Sequence, residues 1–194
     1  MSTLQVTGEA DPRLGVLIYD DSVGADAVLA ESAAILAHSG MRLAGVVQSN
    51  PARPGRSRCD MNLRDLTTGV AVSISLDLGE DSTGCRLDSA AMARASFGVE
   101  QALEAGADLL IVNRFGKQEA QGQGFRSVIA AALTSGIPVV LGVSRLNLQA
   151  CLEFAGYPVA RLAADPDAIA AWCRAAIANP VGQANEPCSL SRCQ

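Results

Sequence analysis

The chain alternates between unbroken apolar runs, longer alanine- and leucine-rich stretches, and short polar loops. Residues 14–20 (LGVLIYD) form the first run, bounded by charge, and DSVGAD leads from it into an Ala/Leu-rich stretch that stops at Ser39-Gly40. That order predicts a strand, a loop and a helix ended by glycine. Leu43 to Gln48 is a second apolar run, so the opening reads βαβ, the unit of parallel sheets with right-handed crossovers. A break follows at SNPARPGRSR, in which Arg53, Arg56 and Arg58 make an exposed, locally basic loop. Met61 and Leu63, then Val70, Val72, Ile74 and Leu76, alternate with small or polar residues on either side of Thr67-Thr68-Gly69. Period two across a turn predicts a β-hairpin with one wet face.

The segment from Leu76 to Asp88 (LDLGEDSTGCRLD) is a second polar loop, closed by Asp88 as the N-cap of a helix running to about Ala105. DLLIVN, residues 108–113, reads as a strand covered on both faces; RFGKQEAQGQG is a third polar loop, followed by a helix through Leu133. Ile137 to Val143 is another buried strand, Leu146 to Ala155 a short helix and Val159 to Leu162 an edge strand. Asp165-Pro166 opens a last helix with proline in its first turn. The expected fold is α/β, a doubly wound, mostly parallel sheet with a β-hairpin insertion. The expected organisation is an N-terminal extension (1–13), a single α/β domain (14–178) and a tail (179–194).

Composition narrows the class. The 194 residues are 49% hydrophobic and 18% charged, too apolar for a disordered chain and ample for a core. A net charge of −5 argues against a protein that coats nucleic acid or an anionic membrane, so any anion site must be local. The first dozen residues hold neither a basic nor an apolar leader region, and the uncharged stretch 127–144 is broken by Thr134, Ser135, Gly136 and Pro138. The expected location is the cytoplasm. Six cysteines without a CxxC pair and one histidine, His38, do not give zinc-finger spacing. Cys151 and Cys173 read as small core residues, Cys188 and Cys193 fall in the tail, and Cys59 and Cys85 touch arginine-bearing segments. The fifteen basic residues include one lysine, Lys117.

Ligands of open α/β sheets bind beyond the carboxyl ends of the strands, where helix N-termini present free amides. Three loops qualify. Asp20-Asp21-Ser22-Val23-Gly24-Ala25-Asp26 sits where a phosphate-binding loop would, and its Ser22 and Gly24 are candidate anion ligands. It lacks GxxxxGK[ST], however, and its three aspartates would repel a triphosphate, each near-contact pair costing several kcal/mol at an effective dielectric of about 20; a helix-capping turn is the plainer reading. The second candidate joins Arg58 and Arg64 to Ser82, Thr83, Gly84, Cys85 and Arg86, because guanidinium forks, hydroxyls and a glycine-permitted nest suit a tetrahedral oxyanion; the alternative is a solvated hairpin with surface arginines. The third is Arg114 to Glu119, in which Lys117 and Glu119 could hold an anion or position a water, or could form a loop ion pair of under about 1 kcal/mol. Asn113 ends its strand where a metal-binding NTPase places an acid.

ADLLIVNRFGKQEAQGQGFRSVIAAALTSGIPVVLGV resembles the THEP1-type nucleoside-triphosphatases, whose version has an Asp-Glu pair at the strand end followed by glycine, lysine and glutamate. Asn113 and Arg114 replace that acidic pair, while Gly116, Lys117 and Glu119 match. RCDMNLRDLTTG, LGEDSTGCRLD and NRFGKQEAQGQG are closer still to a bacterial family of unassigned function, DUF2478, a likeness that covers roughly residues 14–178. The resemblance implies a P-loop NTPase fold with degenerate Walker motifs and a connection with molybdenum handling. Losing both the magnesium ligand and the phosphate lysine removes most of what phosphoryl transfer needs.

Three functions are therefore expected in order: a non-catalytic cytoplasmic protein binding a small oxyanion, with molybdate or tungstate suggested by the resemblance; an atypical NTPase of the THEP1 type taking ATP or GTP with magnesium held by Asp20 or Asp21 beside Lys117 and Glu119; and a regulatory or scaffold subunit. An exposed strand edge and the cysteine-bearing tail would allow homo-oligomers.

Overall fold

The computed structural model describes residues 11–50, 61–76, 87–156 and 159–178. Its elements, in chain order, are β1 (Asp11–Tyr19), α1 (Ser22–His38), β2 (Leu43–Ser49), β3 (Asn62–Asp65), β4 (Ala71–Ser73), α2 (Ser89–Glu104), β5 (Leu109–Phe115), α3 (Lys117–Ala120), α4 (Arg126–Thr134), β6 (Val139–Ser144), α5 (Arg145–Ala155), β7 (Val159–Leu162) and α6 (Pro166–Ala178). They build one seven-stranded sheet in the order β4-β3-β2-β5-β6-β1-β7. The pairs β2–β5, β5–β6, β6–β1 and β1–β7 are parallel, and the β3–β4 hairpin is laid antiparallel on β2. This is the doubly wound, mostly parallel α/β sheet with a hairpin that the apolar runs predict, and it is compatible with a P-loop-like fold.

Strand periodicity divides the core into two layers. Leu14 and Val16 of β1, Leu110 and Val112 of β5, and Val139, Leu141 and Val143 of β6 face a layer formed by α2, α4 and α5. Leu17 and Tyr19, Leu109 and Ile111, and Val140 point to the opposite face, against α1 and α6. Residues of opposite parity on one strand are both buried, so these strands read as unbroken apolar runs. In α1 the buried stripe is Ala25, Leu29, Ala33 and Leu36, spaced four, four and three, one face of a helix.

Two strand boundaries differ in an informative way. β1 begins at Asp11 rather than near Leu14, because Asp11 pairs with Val159 across a register shift that precedes Gly15. In β2, Gly45 has φ +118° and a Cβ there would lie 1.9 Å from the Ile111 carbonyl oxygen of β5; only glycine permits that conformation and that approach. Among the described residues, no helix is long and apolar enough to cross a membrane.

Candidate functional site

β1 leaves the sheet toward α1 on one face, while its neighbour β6 leaves toward α5 on the other. The carboxyl ends of these strands therefore form the kind of crevice in which α/β sheets bind ligands. The first loop closes its own donors. Asp21 is the N-cap of α1, and its carboxylate accepts the amides of Val23 and Gly24 at 3.1 Å each. Ser22 is the first residue of α1, and of the two expected anion ligands in this loop, Ser22 and Gly24, the Gly24 amide is taken by the Asp21 carboxylate instead. Asp20 is held across the crevice by Arg145, whose Nε lies 2.7 Å from Oδ1.

The third acid of that loop makes the centre of the site. Asp26 belongs to the second turn of α1 and is only 8% exposed. It accepts hydrogen bonds from Asn113 Nδ2 at 2.7 Å, from Arg114 Nη2 at 3.0 and 2.9 Å, and from Asn50 Nδ2 at 3.2 Å. Gln48 Nε2 in turn donates to Asn50 Oδ1 at 2.9 Å. The Arg114 guanidinium stands 5.8 Å from the centre of the Tyr19 ring. Burial pushes the Asp26 carboxyl above its usual range, opposed by the Asn113 hydrogen bond and the Arg114 charge. Burial also raises the Tyr19 phenol, with Arg114 pulling the other way. Both effects follow from removing charge from water and returning part of it as hydrogen bonds.

Strand parity explains why Asn113 reaches α1. It shares the inward face of Leu109 and Ile111, and its partner on β6 is Gly142. A Cβ on Gly142 would stand 2.4 Å from Asn113 Oδ1 and 2.8 Å from Leu29 Cδ1, so the glycine leaves the space that the asparagine fills. The Asn113–Arg114 peptide bond is cis, and pairing with β6 shifts register between Asn113 and Phe115. Asn113 Oδ1 and Arg114 Nε are buried without a hydrogen-bond partner. β5 runs on to Phe115 rather than ending at Asn113, and Asn113 and Arg114 both bond to the chain's own Asp26 carboxylate.

A cavity of about 370 Å³ opens beside this cluster, walled by Val23 and Asp26 of α1, by Gln48 and Asn50 at the end of β2, and by the exposed Arg64 of β3. Arg64, the one described residue of the second candidate, lines the cavity together with Val23 and Asp26 of α1, because β3 pairs with β2 and sets Arg64 opposite Val47; Ser22 and Gly24, the first loop's candidates, are not in that lining. Arg58, Ser82, Thr83, Gly84, Cys85 and Arg86 lie outside the described residues.

The third loop is built differently. Lys117 opens α3 and is exposed, and α3 packs with α4 and α5, on the layer opposite α1. Glu119 is 2% exposed; its Oε2 accepts the Gly116 amide at 2.8 Å and its Oε1 the Phe125 amide at 3.0 Å. This carboxylate holds the loop closed and has no oxygen turned to a ligand. Among the described residues there is no group of three or more His, Cys, Asp or Glu side chains that could hold a metal ion.

Sequence reasoning missed Asp26, Gln48, Asn50 and Tyr19 as members of one cluster. A signal for Asp26 was present: it lies three and seven residues before Leu29 and Ala33, an acid beside the apolar stripe of a helix, which requires a buried partner.

Fold and site together define a doubly wound α/β protein with a largely apolar pocket at the carboxyl edge of its sheet, beside a partly buried Asp26–Arg114 ion pair. The chain belongs to the family described as "Protein of unknown function (DUF2478)", whose profile matches residues 14–172. It is also similar to part of the molybdenum import ATP-binding protein ModC 2 of Bradyrhizobium diazoefficiens, with 36% identity over 167 residues, which is 86% of this chain and 19% of that protein. The chain thus spans about a fifth of that relative's length. No solved structure matches it.

Proposed function

We propose that this chain is a non-catalytic, cytoplasmic oxyanion-binding module connected with molybdenum handling, with molybdate or tungstate as its ligand. The observation that carries the reading is the cavity at the carboxyl edge of β2. There Arg64, Asn50 and Gln48 line one cavity, and Asp26 links its wall to Arg114. Guanidinium and amide donors suit a tetrahedral oxyanion, which would fill only part of that space. The relative's printed name supports the choice of molybdenum.

The test is a thermal-shift panel with molybdate, tungstate, phosphate and sulfate. A ligand at one hundred times its Kd adds about 2.7 kcal/mol, which raises the Tm of a domain of this size by several degrees. Molybdate or tungstate should give that rise and Arg64→Gln should abolish it; no response to any of the four anions refutes the reading.

The words "ATP-binding" in the relative's name favour a second reading, an atypical nucleotide-binding protein. Its expected magnesium ligands weigh against it, since Asp20 is paired with Arg145, Asp21 caps α1 and Glu119 is bonded to two backbone amides. Calorimetric titration with ATP or GTP and magnesium tests it, binding lost in Lys117→Ala being the supporting result.

A further inference from the structure

An acid in the wall of an anion pocket needs a physical account. Asp26 lines the cavity that Arg64 also lines, and it is the hydrogen-bond partner of the Arg114 side chain. Arg114 uses one terminal nitrogen for that contact, and its Nε is buried without a partner. A dianion entering the cavity meets one cation in its wall, Arg64, and one carboxylate that both repels it and holds a second cation, Arg114, in an ion pair. Binding is strong only when a proton lies between that carboxylate and the anion, carried either by the carboxylate or by the ligand.

We propose that Asp26 is the selectivity residue of this pocket and couples oxyanion binding to one proton. The inference rests on the oxyanion reading above and names its ligand class more narrowly: a tetrahedral oxyanion that arrives with a proton, or with which a proton is taken up from solvent. With a fully deprotonated dianion such as molybdate, tungstate or sulfate, the Asp26 carboxylate takes one proton from water, releases Arg114 to the anion and donates its new O–H to an anion oxygen. The pocket then gains two negative charges and one positive. With hydrogen phosphate, the ligand's own O–H donates to the ionised Asp26 and no proton is taken up.

The groups facing Asp26 leave it as the one that changes charge. Arg114 comes from β5 and Arg64 from β3, and guanidinium groups stay charged throughout the accessible pH range. Tyr19 comes from β1, and burial raises its phenol, so it stays neutral. Asn113 and Asn50 do not titrate, and Asp21, on the same helix end, is engaged as its cap. Burial raises the Asp26 carboxyl above its usual range, against the Asn113 hydrogen bond and the Arg114 charge.

The experiment is isothermal titration of the full chain with sodium molybdate and with sodium phosphate from pH 6 to 8. Each titration is run in two buffers of different ionisation enthalpy, so that the protons bound per site are counted. Molybdate should bind with uptake of close to one proton and weaken by up to about tenfold per pH unit above the Asp26 titration, while phosphate at pH 8 should bind with uptake near zero. Asp26→Asn, checked for folding by circular dichroism, should bind molybdate at pH 8 at least as tightly as the parent and without the pH slope; the proton count on the unmutated chain reads the same step should that variant not fold. Molybdate binding without proton uptake, or an unchanged slope in Asp26→Asn, overturns the role of Asp26 and leaves the oxyanion reading standing. Failure of both anions to bind the parent and the variant at every pH overturns both.

Discussion

Replacing Glu119 by glutamine separates a structural from a ligand-binding role for the third loop. The native carboxylate is 2% exposed, accepts the Gly116 and Phe125 amides on separate oxygens, and is folded over by Gly124, where φ is +61° and a Cβ would lie 2.1 Å from Oε1. Glutamine keeps the volume but turns one acceptor into an NH2 donor, so one buried amide faces a donor and the other loses its charged acceptor. A hydrogen bond to a charged group is worth about 1.5–3 kcal/mol, and stranding a buried partner costs about as much again at its upper end, so a loss of about 2–3 kcal/mol is expected. At about 2–4 °C per kcal/mol for a domain of this size, the Tm falls by about 5–10 °C. The assay is a circular-dichroism melt at pH 7, paired with an oxyanion titration well below the transition. A melting temperature within about 1 °C of the parent would refute the assigned hydrogen bonds. An unchanged melt with oxyanion binding abolished would return Glu119 to the ligand site.

Three further outcomes follow from the same geometry. Gly142→Ala drives a methyl into Asn113 Oδ1 and Leu29; urea unfolding should show a loss of about 1–3 kcal/mol with the slope unchanged. Asp108 accepts from the Arg42 side chain and backbone, which holds its carboxyl below the usual range. A folded-state value below the unfolded one gives stability that is present above the unfolded value and lost as pH falls through the folded one. Asp108→Asn should therefore flatten the acid limb of a stability–pH series, slightly, because the pair is exposed; an unchanged limb refutes the assignment. Burial pushes the Cys151 and Cys173 thiols up to about 11 and about 12, so in a variant with the other four cysteines changed to serine a thiol reagent at pH 8 should label neither until denaturant is added. Prompt labelling of the native protein would contradict their burial.

Much of the fold was legible in the pattern of the chain. Leu109 to Val112 and Val139 to Val143 are apolar without interruption because helices cover both faces of the sheet, and the period-two residues about Thr67-Thr68-Gly69 mark the hairpin; its expected dry face is only partly so, because Leu63 and Ile74 are buried while Val70, Val72 and Leu76 are exposed at the edge of the sheet. Helix ends were legible for a local reason: Asp21, Asp88 and Asp165 bond to amides two or three residues away, an interaction contained within a few residues of sequence.

The site was less legible, because its contacts span the chain. Asp26 meets Asn113 and Arg114 across separations of 87 and 88 residues, and no local pattern specifies a partner at that distance. The sequence marked Asn113 and Arg114 as unusual, and by itself it determined the order of strands and helices, their caps and which strands are covered on both faces. Only the tertiary structure decided that the strand order brings β5 beside β2 and sets both under the first turns of α1. That proximity turns an apparent anion trap into an internal ion pair, since a buried carboxylate and guanidinium each lose hydration and recover it only by meeting.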